Sequence, residues 1–420
     1  LNYKSIRGTK DILPQEVKKW QYLEKVAREI FQKYGYEEVR TPIFEVTELF
    51  QRSIGEDTDI VTKEMYTFLD KKGRSLTLRP EGTAGIIRAV IENNLYRQKR
   101  IIKLYYLGPM YRYEKPQKGR QREFYQIGAE LIGSDNPASD VEIIALVWEI
   151  FGVLGLKNLV LYLNSVGCPR CRDGYRGSLK EYFKDKIKMM CPDCQRRYSL
   201  NPMRILDCKD EKDRIYIKQS PKISDYLCKE CAEQFERVKE YLDILKIDYS
   251  LDPYMVRGLD YYTKATFEVK YEGLGAQDAL AAGGRYDRLV RDLGGPDLPA
   301  VGFALGVERV LETIEREKIL LPSPPETDVY VATLGEEALK ESIKFIRKLR
   351  HEGLRVLNDF NLSSLKAQLR QADKWEAKFA VIIGKEELSH ERAIVRNMET
   401  GAQEIVPFSE LERYLLRNCS

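Results

Sequence analysis

Apolar side chains recur at intervals of three and four at Val17, Trp20, Leu23, Val26, Ala27, Ile30, Phe31 and Tyr34. The stretch Glu16 to Tyr34 is therefore predicted to be an amphipathic helix, with Gly35 placed to cap it. The pattern changes over Glu37 to Pro42, a predicted short strand whose closing proline cannot donate to a ladder and so suits a sheet edge or an interface. Tyr66 to Leu69 and Ser75 to Arg79 flank the turn-like Asp70-Lys71-Lys72-Gly73 and predict a hairpin, after which Ile86, Ile87, Val90 and Ile91 mark a helix. Two apolar and aromatic runs, Leu104 to Tyr113 and Phe124 to Ile132, read as antiparallel strands. They are joined by the basic loop Lys115-Pro116-Gln117-Lys118-Gly119-Arg120-Gln121-Arg122. Because strand side chains alternate, Arg112 and Glu114 share a face of the first strand, and Gln126, Gly128 and Glu130 share a face of the second.

Further along, Pro137 to Leu154 predicts an amphipathic helix and Leu159 to Asn164 a strand. Between Cys168 and Cys231 the texture changes to many Lys and Arg with little strand pattern, which suggests an insertion into the surrounding domain. Strand-like alternation resumes from Val256 to Tyr271. The paired glycines of Ala281-Ala282-Gly283-Gly284-Arg285 read as a tight turn or a place where a flat ligand nears the backbone. Gly302 to Arg309 reads as a buried strand feeding a helix. An arginine in that first turn opposes the helix dipole, so a bound anion explains it better than stability does. The proline-rich 321–326 is a linker. Beyond it strands (Asp328 to Thr333, Leu354 to Leu357, Phe379 to Ile383) alternate with helices (Glu336 to His351, Leu362 to Trp375), which predicts a small α/β domain with a largely parallel sheet. Two more strands, Ala393 to Arg396 and Glu404 to Val406, flank a Glu-Thr-Gly turn.

Composition changes this picture in three ways. With 420 residues, 43% hydrophobic and 32% charged, the chain has room for two or three domains; its net charge of +4 does not by itself argue for nucleic acid, so any basic footprint must be local. There is neither a long apolar run nor a secretory leader, so no membrane is expected and the cytoplasm is the default compartment. The 2 histidines, His351 and His390, both lie late, which leaves the first 350 residues without a histidine base, a Ser-His-Asp triad or a His-ligated zinc. Chemistry there must run on arginines, carboxylates, backbone groups and bound ions.

The stretches YGYEEVRTPIFE (34–45), TLRPEGT (77–83), YRYEKPQKGRQREFYQ (111–126), RGLDYYT (257–263) and GFALGVERV (302–310) together resemble bacterial histidyl-tRNA synthetases, in order and spacing over nearly the whole chain. The first, third and last look like the three motifs of class II aminoacyl-tRNA synthetases, whereas TLRPEGT and RGLDYY point to histidine. The resemblance implies an α+β class II catalytic domain, an antiparallel sheet flanked by helices, over 1–167 and 232–320. It further implies a small, mainly helical, cysteine-rich insertion at 168–231, a linker at 321–326 and a C-terminal α/β anticodon-binding domain at 327–420.

The implied reaction joins L-histidine to the α-phosphate of ATP, with Mg²⁺ on the outer phosphates, and then passes it to the 3′ end of tRNA(His). Both steps move negative charge onto oxygens, so fixed cations suffice as catalysts. By resemblance Arg112 and Arg257 are catalytic, contacting the α-phosphate, and Arg112 also the histidine carboxylate. Glu114 would hold the adenine amino group, Phe124 and Arg309 would enclose the ring, and Arg120 would meet the outer phosphates. Glu81, Thr83 and Gln126 would hold the ammonium; Glu130 and Tyr262, with Tyr261 nearby, would engage the imidazole nitrogens. Such a site rejects analogues strongly, by ~10⁴ to 10⁵, because they leave buried polar groups unpaired. Tyr125, where many relatives carry histidine, points to the opposite strand face.

The resemblance also implies a homodimer, with the first motif at the interface. Its alternative is the synthetase-like regulatory subunit of ATP phosphoribosyltransferase, which typically lacks the C-terminal module and an intact RGLDYY. Arg347, Lys348, Arg350, Lys366, Arg370, Lys374 and Lys378 of that module are candidate tRNA phosphate contacts or a solvated basic face. Cys168, Cys171, Cys191 and Cys194 form two Cys-x-x-Cys pairs, read as a structural zinc site or as plain reduced thiols, while Cys228 and Cys231 lie on an apolar helical stripe and read as core.

Overall fold

The computed structural model of the chain describes residues 3–116, 120–271, 273, 278–322 and 327–419. The loop residues Gln117, Lys118 and Gly119, and 323–326 of the linker, lie outside them. Two compact units result, Leu1–Leu321 and Pro322–Ser420.

Among the described residues the first unit is built on an eight-stranded sheet. Its order is β1 (Glu37–Glu38), β5 (Ile102–Tyr111), β6 (Glu123–Ile132), β11 (Ala300–Gly306), β10 (Ala279–Arg285), β9 (Thr263–Tyr271), β7 (Leu159–Ser165) and β8 (Tyr249–Leu251). All neighbours are antiparallel except the edge pairs β1–β5 and β7–β8. Strand alternation sorts the two faces. Ile127, Ala129 and Leu131 of β6, Val301, Phe303 and Leu305 of β11, and Ala265, Phe267 and Val269 of β9 pack against the helices Pro14–Lys33 and Pro137–Val153. The intervening residues are polar or small, and Gln126, Glu268, Lys270, Gly302, Ala304 and Gly306 among them line the site. Arg285, fully buried at the end of β10, donates to Asp140 Oδ2 at 2.5 Å and so ties the second helix to the sheet; a buried charge of this kind needs its partner.

A three-stranded sheet, β2 (Phe44–Val46), β4 (Ser75–Leu78) and β3 (Thr67–Leu69), stands beside the main one. The insertion region contains the helices Pro169–Phe183, Pro192–Leu200 and Glu211–Ile217 around an apolar cluster that includes Tyr175, Phe183, Ile205 and Ile217. The next helix, Lys229–Ile244, returns to the main core through Val238 and Leu242.

Three expectations change. The strand expected over Glu37 to Pro42 pairs only at Glu37–Glu38, because the chain then leaves the ladder on its way to Pro42, which has no N–H to offer. The stretch 256–262 is loop and β9 begins at Thr263. Asp260, in that loop, spends its N–H on Ile54 O at 3.0 Å and its carboxylate on Arg204 at 2.5 Å, away from any ladder. Gly283 and Gly284 lie within β10 rather than in a turn, and a Cβ on Gly283 would come within 2.3 Å of the Gly302 carbonyl of the next strand.

In the second unit the sheet order is β13 (Val356–Asn358), β12 (Thr327–Thr333), β14 (Ala377–Ile383), β15 (Arg392–Asn397) and β16 (Gln403–Pro407). The first three are parallel, connected through the helices Glu336–His351 and Leu365–Lys374, whereas the short connections after β14 and β15 force the last two antiparallel. Val329, Val381, Leu349 and Leu415 fill one face, and Tyr330, Ala372 and Ala380 the other. The closing helix Phe408–Cys419, unanticipated from the pattern, covers the first face through Leu411 and Leu415.

Candidate active site and cysteine clusters

A cavity of about 750 Å³ opens on the polar face of the main sheet. Its floor is made of small residues, among them Ala282, Gly302, Ala304 and Gly306, so a flat ligand can lie against the strands. Arg112, Arg257 and Arg309, 197 positions apart from first to last in the chain, all line this one cavity, as do Glu81, Thr83, Glu114, Arg120, Phe124, Gln126, Tyr261 and Tyr262.

Each cation is held by a separate device. Arg112, just past the end of β5, donates from Nε to Pro80 O at 2.9 Å, and its guanidinium lies 5.2 Å from the Phe124 ring centre. Arg120 Nη1 stands 2.9 Å from Glu114 Oε2, and Arg112 Nη1 is 3.9 Å from the same carboxylate. Arg257 pairs with Glu268 and sits 5.5 Å from the Tyr262 ring centre. Arg309, in the first turn of the helix Val307–Arg316, donates from Nη1 to Ala279 O at 2.8 Å. Burial, and after it the neighbouring charges of Arg120 and Arg112, push the Arg309 guanidinium below the ordinary arginine range, against the pull of Glu114. Like charges gathered in this way favour a polyanion among them.

The other end of the cavity is acidic and hydroxylic. Glu81 accepts from the backbone N–H groups of Thr83 at 2.6 Å and Ala84 at 2.9 Å, so it caps the helix Thr83–Glu92 while facing the cavity. Burial pushes its carboxyl up. Gln126 lines the cavity with a buried Oε1 that has no hydrogen-bond partner among the described residues, and an acceptor left in that state costs free energy until a donor arrives.

Glu130 departs from expectation. It lies beneath the lining rather than in it, accepting from Thr83 Oγ1 at 2.7 Å and from the Tyr286 hydroxyl. Burial pushes its carboxyl up to about 8, with the two hydroxyls opposing. Gly302 makes room for it: a Cβ there would stand 1.8 Å from Glu130 Oε2. Burial above all keeps the Tyr262 hydroxyl un-ionised, with Arg257 working against it and Glu130 with it, so Tyr262 and Glu130 share one electrostatic neighbourhood. Tyr125 points away, edge-on to Trp20 at 5.0 Å.

Three residues of this site escaped the reading of the pattern. Glu268 could have been found from its place on the same face of β9 as Thr266 and Lys270, opposite Phe267 and Val269. Tyr286 and Tyr106 carry no such signal, since each looks like an ordinary core aromatic. In the second unit, Arg350 donates twice to Val356 O, Lys378 binds Asp328 and the Cys419 carbonyl, and Lys348 pairs with Glu412. Arg347, Lys366, Arg370 and Lys374 are exposed.

The cysteines group differently from the sequence reading. Cys168 and Cys171 do not join Cys191 and Cys194. They meet Cys228 and Cys231, while Cys191 and Cys194 meet Cys208 and Asp213, the donor atoms of each set lying within 4.8 Å of one another. Helix packing decides this. Cys168 and Cys228 each stand at the N-terminal cap of a helix, Pro169–Phe183 and Lys229–Ile244, and these two helix starts face each other at the root of the insertion.

An antiparallel sheet carrying clustered arginines over a small-residue floor, with an appended α/β unit, defines a class II aminoacyl-tRNA synthetase with an anticodon-binding domain. The comparisons narrow this. The histidyl-tRNA synthetase family pattern matches residues 8–170 and 204–310, and the anticodon binding domain pattern matches 328–418. A histidine–tRNA ligase of Halothermothrix orenii is 50% identical over 96% of this chain and 96% of its own length. One of Caldanaerobacter subterraneus subsp. tengcongensis is 49% identical over 98% of both. The crystal structure of apo Staphylococcus aureus histidyl-tRNA synthetase superposes with a TM-score of 0.83 at 41% identity, covering 98% of this chain and 99% of that one.

The chain belongs to the histidyl-tRNA synthetase family. Its function is that of a histidine–tRNA ligase, with histidine, ATP with Mg²⁺, and tRNA as reactants. Coverage that extends through the C-terminal unit favours this over the regulatory-subunit alternative.

Proposed function

We propose that the cavity makes histidyl-adenylate with Arg112 and Arg257 as its catalytic cations. A histidine carboxylate oxygen bonds to the α-phosphorus as the bond to the β-phosphate oxygen breaks and pyrophosphate leaves. The 3′-terminal hydroxyl of tRNA(His) then attacks the carbonyl and AMP departs. In both steps Arg112 and Arg257 offset charge that grows on oxygens, which fixed guanidinium groups do without reorganising. Arg120 and Arg309 take the outer phosphates, Phe124 and Arg309 enclose the adenine, and Glu114 accepts from its amino group. Glu81, Thr83 and the partnerless Gln126 Oε1 receive the ammonium. Glu130 and Tyr262, with Tyr261 beside them, recognise the imidazole, Glu130 acting from behind Thr83 and Tyr286.

Glu268, a hard oxygen donor in the cavity beside Arg257, is of the kind magnesium takes alongside phosphate oxygens and would hold a cation carried in on ATP. Magnesium, when bound, spreads the charge of the outer phosphates. Zinc is the ion we propose for the cysteines, in the grouping that the folded chain sets.

The observation that carries this reading is the convergence of Arg112, Arg257 and Arg309 on one cavity beside Gln126 and Tyr262. Histidine-dependent ATP–pyrophosphate exchange, run first without tRNA, tests it; no exchange, or exchange with other amino acids at equal rate, would overturn it. We further propose a homodimer formed through the three-stranded sheet, where Phe44 (51% exposed), Val46 (51%) and Phe68 (44%) share one apolar face. We place the enzyme in the cytoplasm, consistent with the described residues having no helix long and apolar enough to cross a membrane.

A further inference from the structure

We infer that the insertion holds two structural zinc ions, and that the second fastens a wall of the active-site cavity. The first site is Cys168, Cys171, Cys228 and Cys231. Each Cys-x-x-Cys pair opens a helix, one cysteine at the cap and one in the first turn. Four thiolates about 2.3 Å from a zinc ion stand about 3.8 Å apart along the edges of a tetrahedron. Cys168 Sγ and Cys171 Sγ are 3.5 Å apart, all four sulfurs lie within 4.8 Å, and the Cys228 N–H donates to Cys171 Sγ at 3.1 Å. Two helix N-termini turned toward the same point favour thiolates there. This site clips the root of the insertion, where the chain enters and leaves it.

The second site is Cys191, Cys194, Cys208 and Asp213. Cys191 Sγ and Cys208 Sγ are 3.8 Å apart, and Cys208 Sγ is 3.4 Å from Asp213 Oδ2. Asp213 is the independent sign of a cation. It is 2% exposed, its contacts are the Cys191 N–H at 3.0 Å and the cysteine thiols, and no lysine or arginine among the described residues pairs with it. A carboxylate buried without a positive partner is costly; beside three thiols that lose their protons to a metal, it completes a four-donor set.

The position of this second site gives it a role that rests on the cavity being where histidine is activated. Cys208, with Asp207 and Lys209, lines the cavity. Arg204, four residues before Cys208, donates to Asp260 at 2.5 Å, and Arg197, in the helix that Cys191 and Cys194 begin, donates to Asp59 at 2.8 Å. Asp260 belongs to the loop that carries Arg257, Tyr261 and Tyr262. Metal at the second site therefore holds the turn from which Arg204 grips that loop. Three of the eight donors, Cys171, Cys191 and Cys194, lie in 171–203, between the two stretches that the family pattern matches.

Metal analysis of the full-length enzyme, purified without added metal, should find two zinc ions per chain. Cys231→Ser and Asp213→Asn should each retain one. No zinc, iron in its place, or full zinc in either variant would overturn the assignment. If a variant fails to fold, cadmium-substituted wild-type enzyme still decides: two ¹¹³Cd resonances, one of an all-sulfur and one of a mixed sulfur–oxygen site, are expected, and a single resonance overturns the pair. Asp213→Asn should raise the KM for histidine or ATP in pyrophosphate exchange several-fold while Cys231→Ser leaves both within about twofold. Equal effects would remove the cavity role and leave the zinc sites standing. Absence of histidine-dependent exchange in the zinc-loaded wild type would instead refute the reading of the cavity.

Discussion

Replacing Arg257 by alanine separates a catalytic cation from a structural one, and the surroundings of Arg257 set the size of each effect. The side chain is 15% exposed, paired with Glu268 and packed over Tyr262. Removing one preorganised charge-stabilising group from a site of this kind costs about 2.7–4 kcal/mol of transition-state stabilisation, or ~10² to 10³ in rate. Breaking a buried pair with no replacement would also cost about 3–5 kcal/mol of stability. Here, however, Lys270 Nζ stands 3.3 Å from Glu268 Oε2, so the carboxylate keeps a cation and the stability loss should be well below that range. Arg257→Ala should therefore lower histidine-dependent pyrophosphate exchange by ~10² to 10³ at saturating ATP. Its thermal midpoint should fall by only a few degrees, and dimerisation and tRNA binding should be unchanged. Arg257→Lys, which keeps the charge but loses the planar fork, should fall between the two. Unaltered exchange in Arg257→Ala would refute the assigned role. So would recovery in the double variant with Glu268→Gln, because the defect would then lie in a stranded carboxylate rather than in a missing cation.

Gly302→Ala places a Cβ 1.8 Å from Glu130 Oε2; with overpacking at about 1–3 kcal/mol, we expect a lower melting temperature and a raised KM for histidine, and normal values of both would contradict the packing. Glu130 titrates near 8 when folded against 4.5 as a free side chain, so the native state holds a proton that the unfolded chain gives up. The stabilisation is whole below about pH 4.5 and is lost as pH rises through about 8, and thermal unfolding of unliganded Glu130→Gln should show a flatter decline over that window than wild type. A chain ending at Leu321 keeps the whole first unit and should retain pyrophosphate exchange while losing about 100-fold in kcat/KM for tRNA charging, the equivalent of about 3 kcal/mol; equal loss of both would count against a separate role for the second unit. Phe68→Asp should convert a dimer to monomers in sedimentation velocity if the apolar face of the small sheet is the interface, and an unchanged dimer would place it elsewhere.

Much of the fold was readable from periodicity because long amphipathic segments report their own burial. The helix Glu336–His351 lies as the pattern drew it, and Pro14–Lys33 begins and ends within two residues of its expected place. The hairpin of β5 and β6 pairs in the expected antiparallel sense, with Gln126, Gly128 and Glu130 on the face opposite Ile127, Ala129 and Leu131. Short or polar stretches were less legible, since their partners lie far off in the chain. The loop 256–262 looks strand-like until Arg204 and Ile54 claim Asp260.

By itself the sequence determined which residue types this protein can use: arginines and carboxylates rather than histidines, at the ends of strands whose alternation puts them on one face. It also determined that cysteines come in pairs three apart, since that spacing is local. Only the tertiary structure decided which pairs meet, because joining positions 57 or 60 residues apart depends on how the helices of the insertion pack and not on the spacing within each pair. It decided likewise that Glu81 caps a helix while facing the cavity, and that Glu130 sits behind Thr83 and Tyr286 rather than in the open. A side chain's direction follows from its own strand, but its depth is set by what the neighbouring strands leave uncovered.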